Sequence, residues 1–317
     1  MDPSRPSTTE SAFIGRDHEI EQGLAALEDV LAGRGRLLLL AGEPGIGKSR
    51  MADLMATRAK DRGVRVLWGR CWEAGGAPAF WPWVQSLRSL IRHVTAEQLR
   101  EQMAAGAADI AQLLPEVRVV VGDLPVPSGL DPDAARFRLF DSTATFLKNA
   151  AATQPLMLVL DDLQVADTPS LLLLQFIAGA LGDDRLFLLG TYRDTEVRPD
   201  HPLSATLTQL AREHGVRTLA IKGLAEPDVA RFIAGIAGSS PQPHVVRTVR
   251  DATEGNPLFL GEVVRLLVEE GRLDEGGGGV GTRLSVPRTV SDVIGQRLGH
   301  LSERSVHILR LASVFGR

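Results

Sequence analysis

Residues 42–49 read Gly-Glu-Pro-Gly-Ile-Gly-Lys-Ser and satisfy the phosphate-loop pattern GxxxxGK[ST]. The stretch follows an apolar run at 36–41, which predicts a buried strand, and precedes a helical pattern that starts at Lys48 and extends to about Arg62. A strand, a Gly-rich turn and a helix form the context that this pattern requires. In such a loop, backbone N–H groups surround phosphate oxygens and the helix N-terminus adds a partial positive charge. The stretch therefore predicts a nucleotide-phosphate site on a parallel sheet.

The pattern also predicts a role for individual residues of the loop. We expect Lys48 to reach the β- and γ-phosphates, as a catalytic as well as a binding residue, and Ser49 to offer its hydroxyl to Mg²⁺. The chain contains only four lysines, so a lysine at the motif position rarely arises by chance. The predicted nucleotide-binding residues of this stretch are Gly42, Glu43, Pro44, Gly45, Ile46, Gly47, Lys48, Ser49 and Arg50.

Further apolar runs alternate with helical patterns on both sides of the loop. The predicted strands that follow the loop are 64–68, 156–160, 186–191 and 216–221, and a long, mostly helical stretch lies between 69 and 153. Alternating strands and helices indicate parallel pairing, and ligand sites in such sheets form at the carboxyl ends of the strands. The expected fold class is α/β, a P-loop NTPase with a parallel five-stranded sheet flanked by helices.

The pattern divides the chain into five expected segments. We expect a disordered tail at 1–12, the nucleotide-binding domain at 13–222 and a helical lid domain at 223–275. Residues 276–285 form an expected Gly-rich linker, and 286–317 begin another helical unit that we expect to be truncated.

Two adjacent acids end the predicted strand 156–160. Asp161 is the predicted second Mg²⁺ ligand, and Asp162 is predicted to orient or deprotonate the attacking water. Successive residues of a strand point to opposite sides, so we do not expect both acids to ligate one ion in the same way. The alternative for both residues is capping of the following helix.

Two further residues, later in the chain, are candidates for contact with the nucleotide. Arg193, after the predicted strand 186–191, is expected to approach the γ-phosphate and distinguish triphosphate from diphosphate; the alternative is an ion pair with Asp194 or Asp162. Pro257 opens a predicted helix and offers a flat apolar surface to a nucleobase, unless it is only a helix start.

Composition limits the remaining classes of function. The 317 residues carry a net charge of −4, which does not favour direct binding of nucleic acid by this segment. No apolar stretch is long enough to span a bilayer, so no membrane association is expected. The single cysteine, Cys71, excludes an internal disulfide and favours a cytoplasmic setting.

Taken in order, five segments resemble the STAND-class AAA-type ATPases, and most closely the nucleotide-binding module of large ATP-binding LuxR-type, maltose-regulator-like bacterial transcriptional regulators. The segments are 13–16, 42–49, 159–162, 190–193 and 255–258. The resemblance covers 13–317 and implies ATP or ADP with Mg²⁺ as ligands. It also implies a helical domain followed by a winged helix that starts near Val286.

The resemblance adds roles for particular residues. It places Gly15 and Arg16 near the adenine, Pro257 against the base and Arg193 at the sensor position. Where many relatives carry His and Trp after the acidic pair, this chain carries Gln164 and Val165. Ring-forming machines usually carry Asp-Glu at this strand end, so the second aspartate fits a slow switch better than a motor.

Two classes of function follow from the sequence. The first is a signalling switch in which ATP and ADP regulate output and sensor domains beyond residue 317, with possible nucleotide-dependent oligomerisation. The second is an enzyme module, either the regulatory part of a cyclase or kinase or a remodelling AAA-type ATPase. A fast steady-state ATPase rate would favour remodelling.

Overall fold

The computed structural model describes residues 13–72, 76–122, 124 and 131–271. Within that part, the chain forms a sheet unit, 18–44 with 48–221, and a helical unit, 222–271 with 13–17 and the loop tip 45–47. The predicted tail 1–12, the linker 276–285 and the winged-helix start at 286–317 lie outside the described residues.

The sheet unit is built on five parallel strands in the order β2-β3-β4-β1-β5. The strands are β1 Arg36–Ala41, β2 Arg65–Arg70, β3 Leu156–Asp161, β4 Leu186–Tyr192 and β5 Val216–Ala220. Each lies within two residues of a predicted run. Every residue of β3 and β4 is buried, as expected for parallel strands covered on both faces.

The order of the strands determines which residues meet at the carboxyl edge of the sheet. β4 lies between β1 and β3, with Leu40 opposite Thr191 and Leu160 opposite Gly190. The strand that ends before Arg193 therefore pairs directly with the strand that ends at Asp161.

Helices cover the sheet, and the long stretch after β2 is helical as predicted. The helices of this part of the chain are α1 Asp17–Leu31, α2 Lys48–Lys60, α3 Trp81–Ile91, α4 Ala96–Met103, α5 Ala107–Leu113, α6 Glu116–Val121, α7 Pro132–Thr153, α8 Thr168–Gly179 and α9 Pro202–Leu210. The fully buried Trp83 of α3 donates its indole N–H to the carbonyl of Ser170 on α8, at 3.1 Å. This bond satisfies the one polar atom of the largest buried side chain. No helix of the described residues is both long and apolar enough to cross a membrane.

The helical unit has a small apolar core of its own. Its helices are α10 Glu226–Ala237, α11 Pro243–Thr253 and α12 Pro257–Glu269. Val229, Ile233, Val249, Leu260 and Val263 are fully buried among them. Asn256 caps α12 by accepting a hydrogen bond from the Leu258 N–H at 3.1 Å, so the chain enters this helix at Pro257.

Close packing of β2 against α3 predicts a strong effect of a small substitution. A Cβ at Gly69 would overlap the carbonyl oxygen of Pro82 and lie 2.8 Å from Ser86 Oγ. We expect Gly69→Ala to lower the free energy of unfolding by about 1–3 kcal/mol, because backbone must move to admit the methyl group. Gly182→Ala is the matched control, since its Cβ would meet nothing within 4 Å. Urea denaturation measures both; equal midpoints for the two variants would contradict the prediction.

Candidate functional site

The loop between β1 and α2 holds the ammonium group of Lys48 inside its own curve. Lys48 is 7% exposed, and its Nζ donates hydrogen bonds to the carbonyl oxygens of Gly42 and Glu43, each at 2.8 Å. The charge of Lys48 is therefore surrounded by partial charges of the backbone and by little water.

Burial lowers the pKa of Lys48 and is the largest influence on it. The positive charge of Arg193 lowers this pKa further, whereas the carboxylates of Asp162, Asp194 and Asp161 raise it. A desolvated ammonium whose pKa is lowered gains from an anionic partner, because opposite charge favours the protonated form. The phosphates of a nucleotide are partners of this kind.

Hydroxyl and carboxylate oxygens meet where α2 begins and β3 ends. Asp161 is 1% exposed, and its Oδ1 accepts hydrogen bonds from Ser49 Oγ at 3.1 Å and Thr191 Oγ1 at 2.6 Å. A guanidinium nitrogen of Arg70, at the end of β2, lies 3.5 Å from Asp161 Oδ2. Mg²⁺ prefers such hard oxygen donors and usually takes one or two carboxylates together with substrate phosphates. Ser49 and Asp161 therefore fit a Mg²⁺ site.

Asp162 leaves the strand in the left-handed region, with φ 62° and ψ 50°. Its N–H donates to Thr191 Oγ1 at 3.0 Å, and its Oδ1 accepts from Gln164 Nε2 at 2.9 Å. The strand pleat was predicted to point the two acids to opposite sides, and this reason was wrong. Asp162 lies just beyond β3, and its left-handed backbone conformation sets the direction of its side chain. The capping alternative for Asp162 was also wrong: Asp167 caps α8, accepting from Ser170 N at 2.9 Å.

Arg193 follows β4 directly and is three-quarters buried. Its Nη1 donates to Glu196 Oε1 at 2.8 Å, and its Nε lies 3.7 Å from Asp162 Oδ1. The alternative of an ion pair between Arg193 and Asp162 is thus confirmed. Its backbone N–H donates to Gln164 Oε1 at 3.1 Å. The structure brings Lys48, Ser49, Asp161, Asp162 and Arg193 into one sheet unit.

Gly42, Glu43 and Pro44 also lie in the sheet unit, as does Arg50, which is exposed on the first turn of α2. The remaining predicted binding residues lie in the helical unit. Arg16 is 5% exposed and donates to the carbonyl of Ile46 at 3.3 Å, and Gly15 lies against the carboxyl group of Asp228. Next to Pro257, the N–H of Leu258 donates to the carbonyl of Gly45 at 3.3 Å. In this unit, Arg16 and the start of α12 both bind the backbone of the loop tip.

Sequence reasoning assigned no role to several residues that organise the site. Thr191 is fully buried between the backbone of Asp162 and the carboxylate of Asp161. A hydroxyl in a fully buried strand must find a hydrogen-bond partner, which is the signal that could have identified it. Gln164 stood out only as a departure from a pattern, and Arg70 carried no signal in the sequence.

A Gly-rich loop between β1 and α2, a buried lysine within it and an acid at the end of a non-adjacent strand define a P-loop NTPase. Residues 12–189 match the family model of the AAA ATPase domain. This match covers more than half of the chain, and the chain belongs to the family of AAA ATPase domains. It is accordingly an ATPase domain. No curated protein sequence matches the chain.

Several solved structures are similar to this chain. The Signal Transduction ATPase with Numerous Domains (STAND) protein with a tetratricopeptide repeat sensor from Pyrococcus horikoshii is 14% identical, with a TM-score of 0.49; the match covers 96% of this chain and 35% of that one. Cdc6p from Pyrobaculum aerophilum is 14% identical, with a TM-score of 0.45 and coverage of 86% and 66%. AMPPCP-bound DnaA from Aquifex aeolicus is 14% identical, with a TM-score of 0.43 and coverage of 87% and 68%. The chain spans about a third of the length of the Pyrococcus horikoshii protein.

Proposed function

We propose that this chain is the ATP-binding, slowly hydrolysing switch module of a multidomain bacterial transcriptional regulator. The observation that carries the nucleotide part is the contact of Ser49 Oγ with the buried carboxylate of Asp161, 3.1 Å away, at the end of the loop that holds Lys48. Hydroxyl, carboxylate and ammonium are the groups that a Mg²⁺-nucleotide requires from its protein.

The proposed roles follow from these positions. Lys48 exchanges its bonds to loop carbonyls for bonds to the β- and γ-phosphates, and the backbone of 42–47 surrounds the phosphates. Ser49 and Asp161 would hold Mg²⁺, which would supply positive charge to neutralise the phosphates. Asp162 orients the attacking water, and Arg193 senses the γ-phosphate. Gly15, Arg16 and Pro257 receive the adenine, as the resemblance of the sequence implies, and Arg50 flanks the phosphates.

Slow hydrolysis is supported by the surroundings of Asp162. The side chain is an aspartate rather than the longer glutamate of fast machines, and it already accepts a hydrogen bond from Gln164 and faces the charge of Arg193. An aspartate carboxylate lies one methylene closer to its own backbone than a glutamate carboxylate, so it reaches less far towards the attacking water. A switch needs the ATP state to last, so this arrangement suits a switch.

The regulatory part of the proposal rests on the sequence resemblance. It includes a cytoplasmic location, sensor and output domains beyond residue 317, and assembly that depends on the nucleotide.

The experiment is to measure single-turnover hydrolysis of Mg²⁺-ATP by the chain and DNA binding by the longer protein with ATP or ADP. We expect a rate at least about 100-fold below the ~10 s⁻¹ of a median enzyme. A rate near that median would favour a remodelling ATPase, and cyclase or kinase activity in the longer protein would favour the other alternative.

Arg193 provides a test of nucleotide discrimination. We expect Arg193→Ala to reduce the preference for ATP over ADP by about 10-fold, because its charge meets oxygens that ADP lacks and a hydrogen bond to a charged group contributes roughly 1.5–3 kcal/mol. Arg198→Ala is the matched control, since Arg198 is an exposed arginine five positions further along the same segment. Titration with both nucleotides measures the ratio; an unchanged ratio would leave Arg193 as an ion-pair residue only.

A further inference from the structure

A buried glutamine links the ends of two neighbouring strands. Gln164 lies in a single 3₁₀ turn after β3 and is 4% exposed. Its Nε2 donates to Asp162 Oδ1 at 2.9 Å, and its Oε1 accepts the Arg193 N–H at 3.1 Å. The amide orientation is determined by these partners, because a peptide N–H can only donate and a carboxylate can only accept.

The carboxylate of Asp162 is held from one side. Both contacts that the structure gives this carboxylate, from Gln164 Nε2 and from the Arg193 guanidinium, fall on Oδ1. Within the described part of the chain, Oδ2 has no side-chain partner. A carboxylate held through one oxygen presents the other in a defined direction, which general-base geometry requires.

The backbone around Gln164 adds to this constraint. Asp162 adopts φ 62°, which a non-glycine residue keeps only when its surroundings hold it there. Its N–H is bound to Thr191 Oγ1 and its side chain to Gln164, so a residue of β4 and a residue of the following 3₁₀ turn define its position. Through its Oε1, Gln164 also ties the first residue after β4 to the same turn.

We propose that Gln164 is a positioning residue for ATP hydrolysis, which aims Asp162 with the donor end of its amide and anchors Arg193 with the acceptor end. This inference rests on the proposed roles of Asp162 and Arg193 in hydrolysis and in ATP recognition. Because an amide does not titrate, it gives both partners one fixed hydrogen-bonding pattern, whereas an imidazole changes its donors with protonation.

Two substitutions separate the two ends of the amide. Gln164→Glu keeps an oxygen for the Arg193 N–H but removes the donor to Asp162 and places like charge beside it. Gln164→Met has a similar length and removes both bonds. We expect Gln164→Glu to slow single-turnover hydrolysis by at least 10-fold while the ratio of ATP to ADP affinity stays as in the parent. Gln164→Met should reduce both the rate and the ratio.

Gln154→Met is the matched control. Gln154 donates its side-chain amide to the carbonyl of Gly63 at the opposite end of β3, so its loss tests the removal of a glutamine bond away from the site. It should change neither readout. A thermal melt of each variant shows whether it is folded, and the affinity for ATP shows whether the phosphate loop is intact.

The outcomes distinguish this inference from the proposed function. If Gln164 were purely structural, the rate and the nucleotide ratio would fall together in Gln164→Glu as they do in Gln164→Met, or neither variant would change, and either result overturns the inference. If Asp162→Asn hydrolyses ATP at the parent rate, the proposed role of Asp162 fails first. If Asp162→Asn is slow and Gln164→Glu is as fast as the parent, the positioning role alone fails.

Discussion

Lys48→Ala is expected to remove most binding of Mg²⁺-ATP, with an increase in Kd of at least about 100-fold. The reason is the burial of the ammonium: breaking a buried charge pair by removal of one partner costs roughly 3–5 kcal/mol. In this chain Lys48 is 7% exposed, so its interaction with phosphate is little screened by water. Isothermal titration of the folded variant measures the effect.

Lys60→Ala is the control for this experiment. Lys60 ends the same helix, α2, but is exposed, so its removal changes net charge equally without touching the loop. It should bind ATP like the parent. The thermal melt of Lys48→Ala must also be recorded, because the carbonyls of Gly42 and Glu43 lose their donor. A folded Lys48→Ala variant with parental affinity would refute the phosphate-loop assignment.

Asp162→Asn is expected to leave ATP binding nearly intact and to slow single-turnover hydrolysis by about 10²-fold or more. A positioned general base contributes about 10²–10⁴-fold, and an amide cannot accept the proton. The asparagine keeps an oxygen for the Gln164 donor, so the turn after β3 should keep its shape. Rapid-quench measurement with excess enzyme gives the rate of the bound nucleotide.

Asp161→Ala should act on a different step. It removes the carboxylate beside Ser49 Oγ, so we expect weaker ATP binding in the presence of Mg²⁺ and little change in its absence. Asp200→Asn, at an exposed position further along the segment after β4, is the control for loss of one negative charge. Equal rates of ATP hydrolysis by Asp162→Asn and the parent would mean that Asp162 only shapes the turn after β3 and has no part in the chemistry.

Local patterns in the sequence were sufficient to predict the phosphate loop and the five strands. The GxxxxGK[ST] spacing identifies Lys48 and Ser49 because a loop that surrounds phosphates needs glycines and a lysine within a few residues of one another. The predicted runs matched β1, β3 and β4 because strands buried on both faces are apolar almost throughout. β2 and β5 also matched, although they are less buried. The acid at the end of β3 followed from the same logic, since sites lie at the carboxyl ends of parallel strands.

Contacts between distant parts of the chain were decided by the tertiary structure. Thr191 lies 30 residues from Asp161, and their hydrogen bond exists because β4 pairs with β3 in one register, with Leu160 opposite Gly190. A shift of one residue would turn the Thr191 hydroxyl to the other face of the sheet. The left-handed turn at Asp162 and the bond between Gln164 and Arg193 depend on the same register, because Thr191 lies in β4 and Arg193 follows it directly. Composition and spacing determine which residues are available at the strand ends, whereas strand order and register determine which of them share a hydrogen bond.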